Sequence, residues 1–184
     1  MAVFVKIDFD NTFDIEDISP DLRIAFFPTV LRDGREVLLK IEISNEAHDL
    51  LPNVFNLAFG PQNERGEIDD KAELAHENYS KVFSTILLNA LNYLNENPGH
   101  YLGIDGSDNS RAYYYWRFCQ RNFDYLSQYF SMYGLKYYVR ISRFGKTQYE
   151  NPFDFDDIHV EADRIIKTDV WPKLMYNYFI FKLI

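Results

Sequence analysis

The sequence predicts an α+β domain: a mainly antiparallel sheet with two principal helices in the order β-β-β-β-α-β-α-β, followed by a C-terminal extension. Three observations carry this expectation. Short β-rich runs between residues 3 and 59 are joined by connections too brief for parallel crossovers. Apolar residues then recur at helical spacing, first over 82–94 and again over 112–130. Finally, 135–141 is an aromatic and β-branched run placed directly after Gly134. A chain of 184 residues fits one domain, with a strand-rich part over 1–60, a helix-strand-helix-strand part over 70–142, and an acidic loop with the extension over 143–184.

Taken in order, Phe4, Ile7 and Phe9 mark the first expected strand, and 23–27, 37–43 and 54–59 mark the next three. Arg32-Asp33-Gly34-Arg35 supplies the turn between the second and third. Asp70 followed by Glu73 reads as a helix cap with its reciprocal carboxylate, and Val82, Ile86, Leu87, Ala90 and Leu94 form the apolar stripe that follows. Asn97-Pro98-Gly99 ends that helix, and 101–104 is a short strand. A second helix is expected to run to about Phe130 on the stripe Ala112, Trp116, Cys119, Phe123, Leu126 and Phe130. On that stripe Cys119 reads as a small packed hydrophobe rather than a nucleophile. The remainder predicts a strand at 135–141, a short helix near 160–167 and a closing strand at 178–184. That last run reads as an edge strand able to pair with a second copy, which makes a homodimer an expectation.

Composition narrows the class. Hydrophobic residues make up 47% of the chain, with 16 Phe and 14 Tyr, enough for a core without disulfides or a structural metal. A lone cysteine forms no internal disulfide, no run of about 18 apolar residues marks a membrane helix, and the first residues lack a signal-peptide pattern. A cytoplasmic protein without a membrane partner is the expectation. The net charge is −9, yet the stretch from Arg111 to Lys146 holds seven basic residues against the single acid Asp124. Overall acidity argues against non-specific nucleic-acid binding, while the segregated basic stretch suits a small anion or a protein partner. Two alternatives stand beside this: the acidic segment 150–163 neutralises the basic stretch internally, or the acidic remainder forms one face that mimics nucleic acid.

Three constellations are candidates for function. The first is the loop 104–111, where Gly106, Ser107, Ser110 and Arg111 join a strand to a helix start and form the expected ligand-binding set for a small anion. Asp105 and Asp108 oppose an anion there unless Arg111 compensates, and Ser107 or Asp108 equally suits plain capping. The loop has neither a Walker lysine nor a dinucleotide-binding glycine triplet. The second is Tyr114, Arg117, Phe118 and Arg121, an aromatic and guanidinium set read as an interaction surface. The third is Asp8 and Asp10, where an apolar run precedes Asp-x-Asp-x-Thr. His48, His76, His100 and His159 lack metal-ligand spacing, so neither a metal site nor a cofactor is expected from them.

Two resemblances follow from these residues. The Asp8/Asp10 segment resembles the first motif of haloacid-dehalogenase-type phosphohydrolases, which implies a nucleophilic Asp8, a general acid/base Asp10, Mg²⁺ between carboxylates and a parallel doubly wound sheet. Separately, Asn56-Leu57-Ala58-Phe59-Gly60 with Asp69, Asp70, Asn78, Lys81, Val82 and Thr85, together with 104–111 and Tyr115, is similar to an uncharacterised bacterial domain family common among Bacteroidetes. That similarity covers roughly residues 21–142 and implies a compact α+β fold whose loop at 106–111 is the place of interest. The function expected is a small bacterial binding or interaction protein that uses the surface 106–121, with a toxin–antitoxin or phage-defence module as its setting. The alternative is a phosphohydrolase or nucleotide-acting enzyme using Asp8 and Asp10 with Mg²⁺, or the 106–111 loop.

Overall fold

Hairpin chemistry and hydrophobic alternation build the first half of the sheet. The computed structural model describes residues 4–69, 72–106, 109–141, 153–168, 176 and 178–184. In chain order its elements are β1 (Asp17–Ile18), β2 (Ile24–Val30), β3 (Glu36–Ala47), β4 (Val54–Pro61), α1 (Tyr79–Glu96), β5 (Tyr101–Asp105), α2 (Asn109–Arg121), α3 (Phe123–Leu126), β6 (Phe130–Ile141), β7 (Phe153–Arg164) and β8 (Tyr178–Leu183). Gly34, at φ 84°, takes the left-handed position that turns β2 into β3, and Asp33 braces the turn through the Arg35 N–H and guanidinium. The strands lie in one sheet of order β1-β2-β3-β4-β5-β8-β6-β7. Every adjacent pair is antiparallel except β4 and β5, which run parallel because α1 carries the chain back between them.

The helices pack on one face. There Phe27, Ile41, Leu57, Leu102, Phe179 and Phe181 meet Ile86, Leu87 and Leu94 of α1 and Trp116 and Cys119 of α2 in one core. Strand alternation sends Val54, Leu135, Tyr178 and Ile180 to the opposite face, where they form a smaller cluster with Leu51 and Tyr101. Cys119 is fully buried and its thiol is pushed up to about 12, which fits the packed role read from the sequence.

The strands expected at 23–27, 37–43, 54–59, 101–104, 135–141 and 178–184 and the helix stripe over 82–94 are all present. Several expectations are corrected. Asp70 lies outside the described residues, and α1 starts later, with the Asn78 side chain accepting the Lys81 N–H at 2.9 Å. The second helix breaks at Asn122 rather than running to Phe130. Residues 160–164, read as helical, belong to β7, because pairing with β6 overrides local propensity. The segment beyond 143 is therefore not an appendage: β7 extends the sheet, starting inside the stretch expected to be an acidic loop, and β8 fills its middle. As an interior strand, β8 offers no edge to a second copy, which removes the ground for a homodimer. The register sets Lys136 opposite Glu161 and Arg140 opposite Asp154, so the acidic segment does fold back alongside the basic one.

The first expected strand is also revised. Residues 4–8 are extended but join no strand. Instead, the chain lies as a strap between the helices, and side chains satisfy its backbone. The N–H groups of Lys6 and Asp8 donate to Ser80 and Ser84 of α1, both at 2.9 Å. Those of Ile7 and Phe9 donate to Asn122 Oδ1 and the Tyr125 hydroxyl, at 2.8 and 2.9 Å. Successive N–H groups of an extended chain point to opposite sides, so the strap bonds to α1 and to the α2–α3 elbow in turn. Val5 and Ile7 are buried beneath it.

The sheet corrects the fold that the phosphohydrolase resemblance implies, since it is mainly antiparallel rather than parallel and doubly wound. Asp8 closes a turn in which the Asp10 N–H bonds to Asp8 Oδ1 at 3.0 Å, with no strand before it and no doubly wound sheet around it. Among the described residues no group of three or more His, Cys, Asp or Glu is arranged to hold a metal ion. Asp108 lies outside the described residues.

Candidate ligand-binding cleft

Where β4 and β5 end side by side, both following helices begin, and this geometry opens a cavity of about 400 Å³. Parallel strands put their carboxyl ends and the starts of the next helices on the same side, which is where open sheets carry ligand sites. One wall comes from β4, with Asn56, Phe59 and Gly60, and another from Tyr79 and Phe83 at the start of α1. The third comes from Ile104 and Asp105 of β5 with Arg111 and Tyr115 of α2. Two segments separated by some forty residues in the chain, and picked out by sequence alone, thus meet around one space.

Phe59, Tyr79, Phe83 and Tyr115 bring aromatic rings to an otherwise mostly aliphatic lining. Phe59 and Phe83 contact edge to face at 5.6 Å, and Phe83 packs on Tyr114 and Phe118. The Tyr79 hydroxyl donates to the Leu74 carbonyl at 2.7 Å, which fixes its ring as a wall. Asp69, Asp105 and Arg111 bring charge of both signs to the lining. Desolvation pushes the Asp105 carboxyl above its ordinary value, against the opposing pull of the Arg111 guanidinium and of His48.

His76 closes the inner end of the cleft. It is buried, its Nδ1 lies 3.3 Å from the Thr29 hydroxyl, and burial holds its pKa below the ordinary 6.5. His100, at the far end of α1, is likewise lowered, first by desolvation and then by Arg23. The unfolded chain takes up these protons at its ordinary value, whereas the fold takes them up only at lower pH. Stability is therefore full above about pH 6.5 and falls as pH drops toward the folded values. Urea unfolding between pH 7.5 and 5 is expected to show this decline, and His76→Gln to flatten part of it; an unchanged slope in the variant refutes the assignment.

Not every expected site residue reaches the cleft. Arg111 does, and Ser110 falls in the first turn of α2, while Ser107 lies outside the described residues. Gly106 packs closely against α2, since a Cβ there would stand 2.9 Å from Ala112 Cα. Of the expected interaction surface, Phe118 is buried and Tyr114 is packed on Phe83, with its hydroxyl pushed up to about 12 by burial. Arg117 and Arg121 remain outward, the first bonded to the Tyr113 hydroxyl at 2.9 Å and the second lying over the exposed Phe4 ring. Tyr79, Phe83 and His76 are cleft residues that the sequence pattern does not reveal. Phe83 falls within the apolar spacing over 82–94 that periodicity assigns to core, and only the position of the start of α1 shows that it and Tyr79 line a cavity.

Residues 33–155 match the model of a family described as a family of unknown function, DUF6934. The chain belongs to that family. Neither a curated protein nor a solved structure matches it. The DUF6934 match contains every residue that lines the cleft and leaves out the strap, β1, β2 and β8. No helix among the described residues of this DUF6934 protein is long and apolar enough to cross a membrane.

Proposed function

We propose that the protein is a binding protein for a small anionic ligand, taken up in the cleft at the ends of β4 and β5. The observation that carries this reading is the convergence of residues from 56–60 and 104–115 on one cavity with Arg111 in its lining. A guanidinium beside the start of a helix offers a planar donor fork to a carboxylate or phosphate. The aromatic walls give an attached ring or apolar group somewhere to bury. A cytoplasmic bacterial setting in a toxin–antitoxin or phage-defence module is part of the same proposal, checked by the genes beside this one.

Calorimetric titration with phenyl phosphate and benzoate tests it. Arg111→Gln is expected to weaken binding of either anion by about tenfold to a hundredfold, the loss of one charge-assisted contact, with little change in thermal stability. Binding that survives this substitution unchanged places the anion elsewhere.

A further inference from the structure

Of the polar and charged side chains that line the cleft, that of His76 is the one more than nine-tenths buried, at 8% exposure, whereas Asn56, Asp69 and Asp105 are exposed. A polar group held so deep beside Leu39, Leu74 and Val82 needs partners for both ring nitrogens. One of them is supplied by the fold. His76 Nδ1 lies 3.3 Å from the Thr29 hydroxyl, and among the described residues neither side chain has another hydrogen bond.

Counting hydrogens fixes what the ring presents on its other side. Thr29 is 1% exposed, so its hydroxyl hydrogen meets no solvent and has no acceptor but Nδ1. With the ring proton on Nδ1 instead, that hydroxyl hydrogen would be buried and unpaired. Thr29 therefore donates, Nδ1 accepts, and the imidazole proton sits on Nε2. Among the described residues the sealed side-chain polar atom without a partner is Asn89 Nδ2. His76 Nε2 also lacks a partner but is not sealed, and the space it meets is the cleft that the residue lines. The ring is held in place, since Tyr79 stands edge-on to it at 5.3 Å and 87°, with its own hydroxyl committed to the Leu74 carbonyl. Burial lowers the His76 pKa, which keeps the imidazole uncharged at about pH 7.

We propose that His76 Nε2–H is a neutral hydrogen-bond donor aimed into the cleft, and that the ligand is a small organic anion whose apolar body carries an uncharged acceptor, a carbonyl oxygen, to meet it. This rests on the anion reading, in which Arg111 takes the charged end, and names the second group of the same ligand. An uncharged donor pairs with a carbonyl without a counter-charge. It also rejects a guest of the same shape that lacks the oxygen, because the N–H would then be covered and unpaired.

Two measurements on the full chain test this. Long-range proton–nitrogen NMR of the histidine rings is expected to place the His76 proton on Nε2, and Thr29→Val to give a mixture of tautomers; a proton on Nδ1 in the unaltered chain overturns the proposal. Calorimetry then compares 3- and 4-acetylbenzoate with 3- and 4-isopropylbenzoate, which match them in shape and lack the carbonyl. The better acetyl isomer is expected to bind about tenfold or more tightly than its isopropyl counterpart and to shift the His76 Nε2 signal. His76→Phe is expected to bring that ratio to about one, while His76→Gln, which keeps an N–H donor, retains part of it. If benzoate binds and neither acetyl isomer is preferred, or if the preference survives in His76→Phe, the donor role is overturned and the anion site stands. If neither benzoate nor any of the four derivatives binds, the anion reading falls and the donor proposal falls with it. The tautomer is read on the unaltered chain, so that arm decides whether or not His76→Phe folds.

Discussion

Asn122→Leu is expected to lower the unfolding free energy by about 4 kcal/mol and the melting temperature by about 10 °C. The Asn122 side chain stands where a neighbouring strand would: its Oδ1 accepts the Ile7 N–H at 2.8 Å, and its Nδ2 donates to the Val5 carbonyl at 3.2 Å. The same amide also donates to the Phe118 carbonyl at 3.0 Å, near the end of α2. Leucine of similar size fills the space and leaves two buried backbone groups of the strap without partners, each costing about 1–3 kcal/mol. Equilibrium unfolding in urea measures the loss. A change below about 1 kcal/mol means that the strap is held by the apolar burial of Val5 and Ile7 alone. Asn122→Asp separates the two halves of the amide, because it keeps the acceptor for Ile7 but sets a carboxylate against the Val5 and Phe118 carbonyls. Its deficit is expected to shrink as the solution is acidified and the carboxyl regains a proton.

Gly103→Ala is expected to cost about 3 kcal/mol, although the position is in a strand where alanine is ordinarily tolerated. The added methyl would meet the Tyr178 ring at 2.0 Å, and that ring is buried with the His48 ring packed 5.4 Å away. Tyr178→Ala alone is expected to cost about as much, by leaving a cavity. In the double variant the methyl enters the space the ring has left, so the two losses do not add. A coupling of about 2 kcal/mol in favour of the double variant is the expected signature, and strict additivity refutes the contact. Gly99, where an added methyl would find nothing within 4 Å, supplies the comparison: Gly99→Ala is expected to be close to neutral.

The parts of the fold that local chemistry determines were legible in the sequence. The turn at Gly34, the α1 stripe and the stop at Asn97-Pro98-Gly99 depend on neighbours a few residues away, and all occur as expected. The parts set by distant partners were not. Alternation of Phe4, Val5, Lys6 and Ile7 shows an extended chain, but it does not reveal that Ser80, Ser84, Asn122 and Tyr125 replace the neighbouring strand. Residues 160–164 carry helix-compatible composition and become a strand only because β6 lies beside them. The position of β8 did leave a signal: Tyr178, Phe179, Ile180 and Phe181 are buried in succession, which is the mark of a strand covered on both faces rather than of one at an edge. For the site, loop position and charge pointed to Arg111, while Asn56 and Gly60 entered only through a family resemblance, and the meeting of the two segments depends on the pairing of β4 with β5, which no single segment encodes.

The central place of β8 also dictates the order in which this protein is assembled. β5 and β6 never touch as strands; each pairs with β8, which is synthesised after both and after β7. Until residues 178–183 emerge from the ribosome, a growing chain therefore carries two hydrophobic half-sheets with raw inner edges, each a template for whatever strand comes near. A stop codon ahead of β8 removes only a short strand by length, yet it takes away the one strand that joins β5 to β6 and splits the sheet in two.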